Sequence, residues 1–548
     1  KIVLILQDMK HILIKSAALA ASLALAFATV PMSAQSRSFK LGQWEEIHSS
    51  LVRELNRSYV DSLPLDRMMR AGIDAMLSEL DPYTVYVPEE ENEDFEYLIN
   101  KTYGGIGAII HKQVGDGVYI TEPYENSPAH RYGLRCGDKI IRIDGKDTRP
   151  LSSKEASEMM KGKPGSQVTF TVEKRISHDT VDVVITRERI HLPDIEYVGM
   201  LDDTTGYVSQ SGFTEKVSDE LRAAIVELKA KGMKRLVYDL RGNGGGLMQE
   251  AVKIVSLFVP KGTLVVKSKG LNNNQEREYR TTMEPLDTEL PLIVLIDGGS
   301  ASSSEIVSGA LQDLDRATIM GLRSYGKGLV QSILPLAYNG QLKITTAKYY
   351  TPSGRCVQAR DYSEDGEPRF IPDSLSREFK TVGGRTVRDN GGITPDVKLG
   401  EKHYSRLVYA LVLGGIVDNF ALHYACEHES IPALDDFRCD DEIWEAFVDF
   451  AMTQKFDYRS QAKTLFDEMR TELREDGLED AMKAALEAMD RALNMEKEQF
   501  IRLKKDEIVP FIEEELAVRY YFQRAGVRIR LRYDDQLRQA LRSAVLPS

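Results

Sequence analysis

Between Pro291 and Gln331 the sequence PLIVLIDGGSASSSEIVSGALQDLDRATIMGLRSYGKGLVQ changes hydrophobic period twice. Leu292 to Ile296 is an uninterrupted apolar run, the pattern of a strand buried on both faces. A Gly-Ser turn follows, and from about Ser302 the apolar residues Ile306, Val307, Ala310, Leu311 and Leu314 recur at helical spacing, before Ala317 to Gly321 reads as a second strand. The alternation extends over Thr205 to Gly400: GYVSQSGF, a helix through Val217 to Lys231, KRLVYDL, a helix from Met248, TLVVKS and LKITTAKYY. Strands and helices alternating at this spacing argue for α/β layering. Two polar insertions, Gly270 to Pro285 and Arg360 to Gly392, are expected to be surface loops.

A chain of 548 residues is too long for one core, and roughly 150 residues per domain implies three or four. From Gln43 to about Asn100 the pattern is helical and polar, with Ile47, Leu51 and Leu55 spaced by four, and is read as a packing module. Asp81-Pro82 closes a helix, because proline disfavours the α conformation in the residue before it. Thr102 to about Arg187 carries the short β runs GIGAII, GVYITEP, DKIIRIDG, SQVTFTVEK and DTVDVVITR, with one helix near Lys154 to Lys161. Beyond Glu401 the chain turns helical, and Met482, Leu486, Met489 and Leu493 form a seam read as core packing in preference to an oligomer contact.

The net charge of −13 offers no broad attraction to nucleic acid or anionic lipid, so no nucleic-acid partner is expected. Met9 to Ala34 has two lysines, an Ala/Leu-rich run and then small residues, a secretory signal pattern. Export to the periplasm or outside is therefore expected, with membrane association only if this segment is retained. Lys1 to Asp8, ahead of the first methionine, is read as upstream sequence. The four cysteines are scattered and form no CxxC, so buried or unpaired thiols are expected, with Cys426–Cys439 the pair left open for a bridge.

Ser300, Ser302, Ser303 and Ser304 crowd the strand-to-helix turn. Ser302-x-x-Glu305 matches a capping box, which gives Ser302 a purely structural use. A hydroxyl at a helix N-terminus also faces the positive end of the dipole and free N–H groups, which favour negative charge developing on a bound carbonyl. Such a hydroxyl needs a base. No histidine is near in sequence and no G-x-S-x-G is present, whereas Lys327 follows closely, flanked by Gly326 and Gly328. A lysine serves as base only when burial or positive potential lowers its pKa, and Gln331, four residues on, has an amide suited to orienting the amine. Ser324-x-x-Lys327 is discounted as S-x-x-K because the companion K-T-G and S-D-N motifs are absent. The glycine turn after LVYDL, Gly242 to Gly246, fits neither nucleotide-binding motif and is assigned to oxyanion stabilisation. A second glycine turn, Gly104 to Gly107, is suited to cradling a terminal carboxylate while the adjoining strand pairs with a peptide. No metal or organic cofactor is called for.

YGGIGAII followed by SPAHRYGLRCGDKIIRIDG resembles a PDZ domain, which implies a module that reads peptide C-termini through Gly104, Gly105, Ile106 and Gly107. DLRGNGGG, SASSSEIVSGALQDLDRA, SYGKGLVQ, LKITTAKYYTPSGR and GITPDV, with LDPYTVYV upstream, resemble in order the motifs of the carboxy-terminal processing peptidases, or tail-specific proteases, over roughly Gln43 to Gly400. The resemblance implies a crotonase/ClpP-like α/β protease core with an inserted, mainly-β PDZ domain and helical N- and C-terminal regions. It places the nucleophile at Ser302, the general base at Lys327 and the orienting glutamine at Gln331. The family's acidic residue falls on Asp313, in a supportive role, and backbone oxyanion donors on Gly244, Gly245 and Ser303. Asp297 and Ser303 stand where the family commonly has asparagine and alanine. The implied division is 1–34 upstream residues and signal, 35–101 helical, 102–190 PDZ, 191–400 protease and 401–548 helical with no assigned role. The expected activity is that of a serine endopeptidase acting on proteins with exposed C-termini through a Ser-Lys dyad and an acyl-enzyme. A catalytically silent PDZ scaffold is the alternative, a thioester-acting crotonase-like enzyme a weaker one, and homo-oligomerisation is left open.

Overall fold

The computed structural model describes residues 37–113, 116–271, 276–362, 368–456, 461–493 and 497–543, so the proposed signal segment lies outside the described residues. The chain divides into two compact units, 1–76 and 77–548. In the first, Arg37–Ser58 is a helix, but Ile47 and Leu51 on its expected packing seam are exposed, as is Trp44. The four-residue spacing fixes which side chains share a face and leaves open whether anything covers it.

The centre of the second unit is a six-stranded sheet in the order Ile195–Met200, Thr205–Gln210, Arg235–Asp239, Leu292–Ile296, Thr318–Gly321, Val397–Lys398. Only the first pairing is antiparallel. All five residues of Leu292–Ile296 are buried, as an uninterrupted apolar strand requires. Leu292, Val294 and Ile296 pack with the helices Val217–Ala230, Met248–Ser256 and Ser303–Asp313. Ile293 and Leu295 face the opposite way, where Leu537 and Ala540 of the helix Asp535–Arg542 complete the layer. The C-terminal region thus supplies part of the core's second face.

A second sheet is built on the long strand Gln341–Tyr350, flanked by Val85–Val87, Leu264–Gly270 and Leu329–Pro335. The insertion expected to be a loop from Gly270 contributes a further strand, Arg277–Arg280, paired back onto Leu264–Ser268. Its alternating charged residues hid a strand exposed at a sheet edge. The insertion from Arg360 likewise holds two short ladders, Arg360–Asp361 with Arg369–Phe370 and Glu378–Lys380 with Thr386–Arg388.

The PDZ-like segment forms its own sheet, in the order Ala108–Gln113, Gly117–Pro123, Lys139–Ile143, Gln167–Glu173, Thr180–Thr186. Ser127-Pro128-Ala129 opens a short helix: Ser127 Oγ accepts the His130 N–H at 3.2 Å and Pro128 occupies the first turn, where its missing N–H costs nothing. The helix Ser153–Met160 closes the domain with a capping box between Ser152 and Glu155.

Beyond residue 400, helices between Arg406 and Arg532 enclose a separate core of Leu407, Phe420, Phe437, Trp444, Phe447 and Ile512. Of the Met482 seam only Leu486 is buried; Met482 and Met489 are exposed, so it is not a core seam over its length. All four cysteines are free thiols. This helical region also grips the PDZ domain. Phe522, at φ 67°, breaks the helix Lys505–Arg532 and places its ring 4.9 Å from that of His130, while Arg175 lies over Tyr520. Gln523 Nε2 donates to Glu122 Oε2, yet Glu122 Oε1 is buried with no hydrogen-bond partner among the described residues. Burial pushes the Glu122 carboxyl up to about 7, against the opposing pull of Gln523 and Arg519. Because the folded value exceeds the ordinary 4.5, this group's contribution to stability is complete below that pH and is lost as pH rises through about 7. Thermal denaturation followed from about pH 5 to about pH 8 should show a decline that Glu122→Gln removes.

Candidate active site

The turn after Leu292–Ile296 is fastened to the glycine loop that follows Arg235–Asp239. Asp297 Oδ1 accepts the N–H groups of Gly242 (2.8 Å) and Gly299 (2.9 Å), contacts that an asparagine side-chain oxygen would make equally well. The Ser300 hydroxyl donates to Leu240 O at 2.7 Å, that of Ser303 to Gly246 O at 2.8 Å, and that of Ser304 to Asn243 O at 2.8 Å. Three of the four serines thus hold the two loops together. The Ser302 hydroxyl donates to no described residue.

Ser302 also differs in its backbone, with φ 55° and ψ −113°. A serine held there costs on the order of 1–3 kcal/mol, so the surroundings must impose it. Glu305 is the main agent. Its carboxylate accepts the Ser302 N–H at 2.9 Å, and its own N–H donates to Ser302 O at 2.8 Å. The capping contacts therefore run through the backbone and leave the hydroxyl available to donate.

Glu305 does the same for the lysine loop. Fully buried, it accepts from the Ser324 hydroxyl (2.6 Å), the Gly326 N–H (2.7 Å) and the Lys327 N–H (2.8 Å). Burial pushes its carboxyl pKa up while these donors and Ser302 oppose the rise. Tyr349, from the long strand, adds a second tie: its hydroxyl lies 3.1 Å from Ser302 O and 2.7 Å from Lys327 O. Gly326, at φ 84°, is needed because a Cβ there would sit 2.3 Å from that of Ala359. Ser302 and Lys327 are thus brought to one place by shared backbone anchors.

Lys327 Nζ lies 4.1 Å from the ring centroid of Tyr83. Burial, then the charge of Lys343, lowers its pKa from 10.5 to about 8, against the pull of Glu305 and Asp81. About a tenth of the amine is therefore neutral at pH 7 and about half at pH 8, against a negligible share for an unperturbed lysine. No hydrogen bond joins Lys327 Nζ to Ser302 Oγ among the described residues. Gln331 Nε2 donates to Thr345 Oγ1 at 3.2 Å, and no hydrogen bond joins its amide to Lys327 Nζ among the described residues. A register shift between Val330 and Gln331 sets Gln331 opposite Thr345, which sequence spacing from the lysine does not convey.

Of the expected oxyanion donors, Gly245 is corrected: its N–H is committed to Asn243 Oδ1 at 2.9 Å. The N–H groups of Gly244 and Ser303 meet no acceptor among the described residues. Gly245 matters by its lack of a side chain, since a Cβ there would stand 2.8 Å from Ser302 Cβ and 2.9 Å from Ser303 N. Asp313 is buried against Arg355 (2.7 Å) and accepts the Ser353 N–H (2.9 Å), a scaffold contact. Gly104, Ile106 and Gly107 line a cavity of about 1410 Å³ with the strand Ala108–Ile110, the helix residues Ser153, Ser157 and Met160, and Tyr97 and Asn100 from the helix Asn92–Asn100. Gly105 is not on its wall, because its pairing with Glu188 turns it toward the Tyr103 ring. Among the described residues no group of His, Cys, Asp or Glu is arranged to hold a metal ion.

Family models match this chain as "Peptidase family S41" over residues 204–367, which hold the serine turn and the lysine loop, and as "PDZ domain" over 119–174. The carboxy-terminal-processing protease of Bartonella bacilliformis is 36% identical over 319 residues, 57% of this chain and 73% of that protein. The chain belongs to the carboxy-terminal-processing protease family. It is a serine-type peptidase with the α/β core, PDZ insertion and helical C-terminal region that the sequence resemblance implied. A CtpA-like serine protease of Staphylococcus aureus is 33% identical over 318 residues, 58% of this chain and 63% of that protein, slightly under two thirds of its length. A solved photosystem II D1 C-terminal processing protease aligns over 63% of this chain and 86% of its own, at 26% identity and a TM-score of 0.33. Residues 407–543, for which sequence motifs gave no role, match "Probable PDZ-protease, C-terminal helical domain", in keeping with the contacts of Phe522 and Gln523 to the PDZ domain. Sequence reasoning missed three features of this site: Tyr83, Tyr349 and the clamping role of Glu305. The LDPYT motif marked the first only as a likeness, with nothing to say which lysine its ring would meet.

Proposed function

We propose that this protein is an exported serine endopeptidase that captures the C-terminal tail of a protein in the PDZ cavity and cleaves it with a Ser302–Lys327 dyad. The observation that carries this reading is the selectivity of the turn: neighbouring serine hydroxyls are tied to carbonyls, while Ser302 is held strained beside the loop of a lysine whose pKa is lowered to about 8. Ser302 Oγ attacks the scissile carbonyl carbon as Lys327 Nζ accepts its proton. The carbonyl oxygen becomes an oxyanion that accepts from the N–H groups of Ser303 and Gly244. The C–N bond breaks as the lysine ammonium returns the proton to the leaving amine, leaving an ester on Ser302. Water, deprotonated by Lys327, hydrolyses that ester and restores the serine. The lysine-to-serine hydrogen bond forms with the substrate in place, since catalytic hydrogen bonds are often long in unliganded enzymes and tighten in the complex.

The cavity at Gly104, Ile106 and Gly107 receives the tail's free carboxylate, with the peptide added as a strand beside Ala108–Ile110. Residues 9–34 direct export, which brings the enzyme to proteins outside the cytoplasm. A model protein bearing an unstructured tail should be cut, and the same protein with its terminal carboxylate amidated should be cut at least about tenfold more slowly at limiting concentration, the loss lying in KM. Equal rates for the two forms would remove the tail-reading part of the proposal.

A further inference from the structure

Tyr83 lies far from the serine and lysine motifs in sequence, yet its ring is the group that meets the lysine amine. Its position is fixed from two sides. Asp81 Oδ1 accepts the N–H groups of Tyr83 (2.8 Å) and Thr84 (2.9 Å), and the next residues, Val85–Val87, pair with Gln341–Lys343 of the long strand. Tyr362 meets the ring edge-on at a centroid distance of 6.1 Å. Among the described residues the Tyr83 hydroxyl has two contacts, both at 3.5 Å, to the hydroxyls of Tyr325 and Tyr362, so the ring and not the hydroxyl is well engaged.

The carboxylates around Lys327 are otherwise occupied. Glu305 accepts from Ser302, Ser324, Gly326 and Lys327 backbone or hydroxyl donors, and Asp81 from Tyr83 and Thr84. Lys343, on the opposing strand, adds a like charge. Among the described residues the amine thus has no carboxylate of its own, and it lies over an aromatic face at a distance where a cation and a ring attract.

We propose that Tyr83 is a positioning residue for Lys327, its ring face seating the amine and keeping water from it so that the lysine is delivered dry to Ser302. This rests on Lys327 being the general base. Removal of the ring admits water, and burial is the largest of the influences that hold the lysine's pKa down. Loss of the ring also removes its attraction for the protonated amine, which pulls the pKa the other way, but rehydration of the amine is the larger change; the charges of Lys343, Glu305 and Asp81 all remain.

The test uses the full chain and a short internally quenched peptide. Tyr83→Ala should lower kcat at about pH 7.5 at least about tenfold with KM within about twofold, and move the rising limb of the pH–rate profile up by about one unit. Tyr83→Phe, which keeps the ring, should restore the limb to its original pH. A limb that stays in place in Tyr83→Ala, or a Phe variant as impaired as the Ala variant, overturns the inference. Should Tyr83→Ala fail to fold, Tyr83→Trp reports directly: its emission, over the background of Trp44 and Trp444, should titrate at the pH of the kinetic limb and cease to do so with Lys327→Met. Emission insensitive to that substitution overturns the inference. Activity retained in Lys327→Met would instead refute the base assignment beneath it.

Discussion

Replacing Ser302 by alanine is expected to lower kcat by on the order of a millionfold, the loss typical of removing a serine nucleophile, while leaving the fold and the melting temperature close to wild type or slightly higher. The expectation follows from the hydrogen bonds of the turn. Ser302 contributes its N–H and carbonyl to Glu305, and its carbonyl to Tyr349; alanine retains both groups. Only the hydroxyl, which donates to no described residue, disappears. Ser303→Ala and Ser304→Ala should behave in the opposite way, with activity lowered only through loosened contacts to Gly246 and Asn243. Cleavage of a disordered protein substrate, with circular dichroism on the same samples, separates the two patterns. Normal turnover by Ser302→Ala would remove the nucleophile assignment.

Lys327→Ala should lower kcat by about a thousandfold, within the usual range for a positioned general base. The wild-type rate should rise with pH and reach half its plateau near 8, because the amine acts as base only when neutral and its pKa lies at about 8. An unperturbed lysine would place that limb near 10.5. Lys327→Arg should be as inactive as the alanine variant, since a guanidinium stays protonated throughout. A pH profile of kcat on a small peptide, for which product release is fast, is the relevant measurement. A Lys327→Ala enzyme with an intact limb near pH 8 would show that another group titrates.

How far these features were legible in the sequence depended on whether they were local. The strand Leu292–Ile296 and the helix from Ser303 follow from an apolar run and a 3.6-residue period, so their positions could be read directly. Likewise Gly326 and Gly328 announced a loop pressed against another segment. What the residues alone left open was which of four serines is available, and it is settled by where three other hydroxyls go, a tertiary fact. Glu305 looked like a capping residue and is one, but its other oxygen bonds serve a loop more than twenty residues away. Gln331 illustrates the reverse. Four residues from the lysine it suggested a partner, but a register shift in its strand turns it to Thr345. The exposed seams at Ile47 and Met482 show the same limit, since periodicity identifies a face without naming its cover.

The central claim is that Ser302 becomes acylated during turnover. Wild-type enzyme quenched in acid while hydrolysing an activated ester of a short peptide, then digested and mapped by mass spectrometry, should carry the acyl group on Ser302 alone, and the adduct should be absent in Lys327→Ala quenched at the same time. An adduct on Ser300, Ser303 or Ser304, or sustained hydrolysis with Ser302 unmodified under conditions where deacylation is slow, would contradict it.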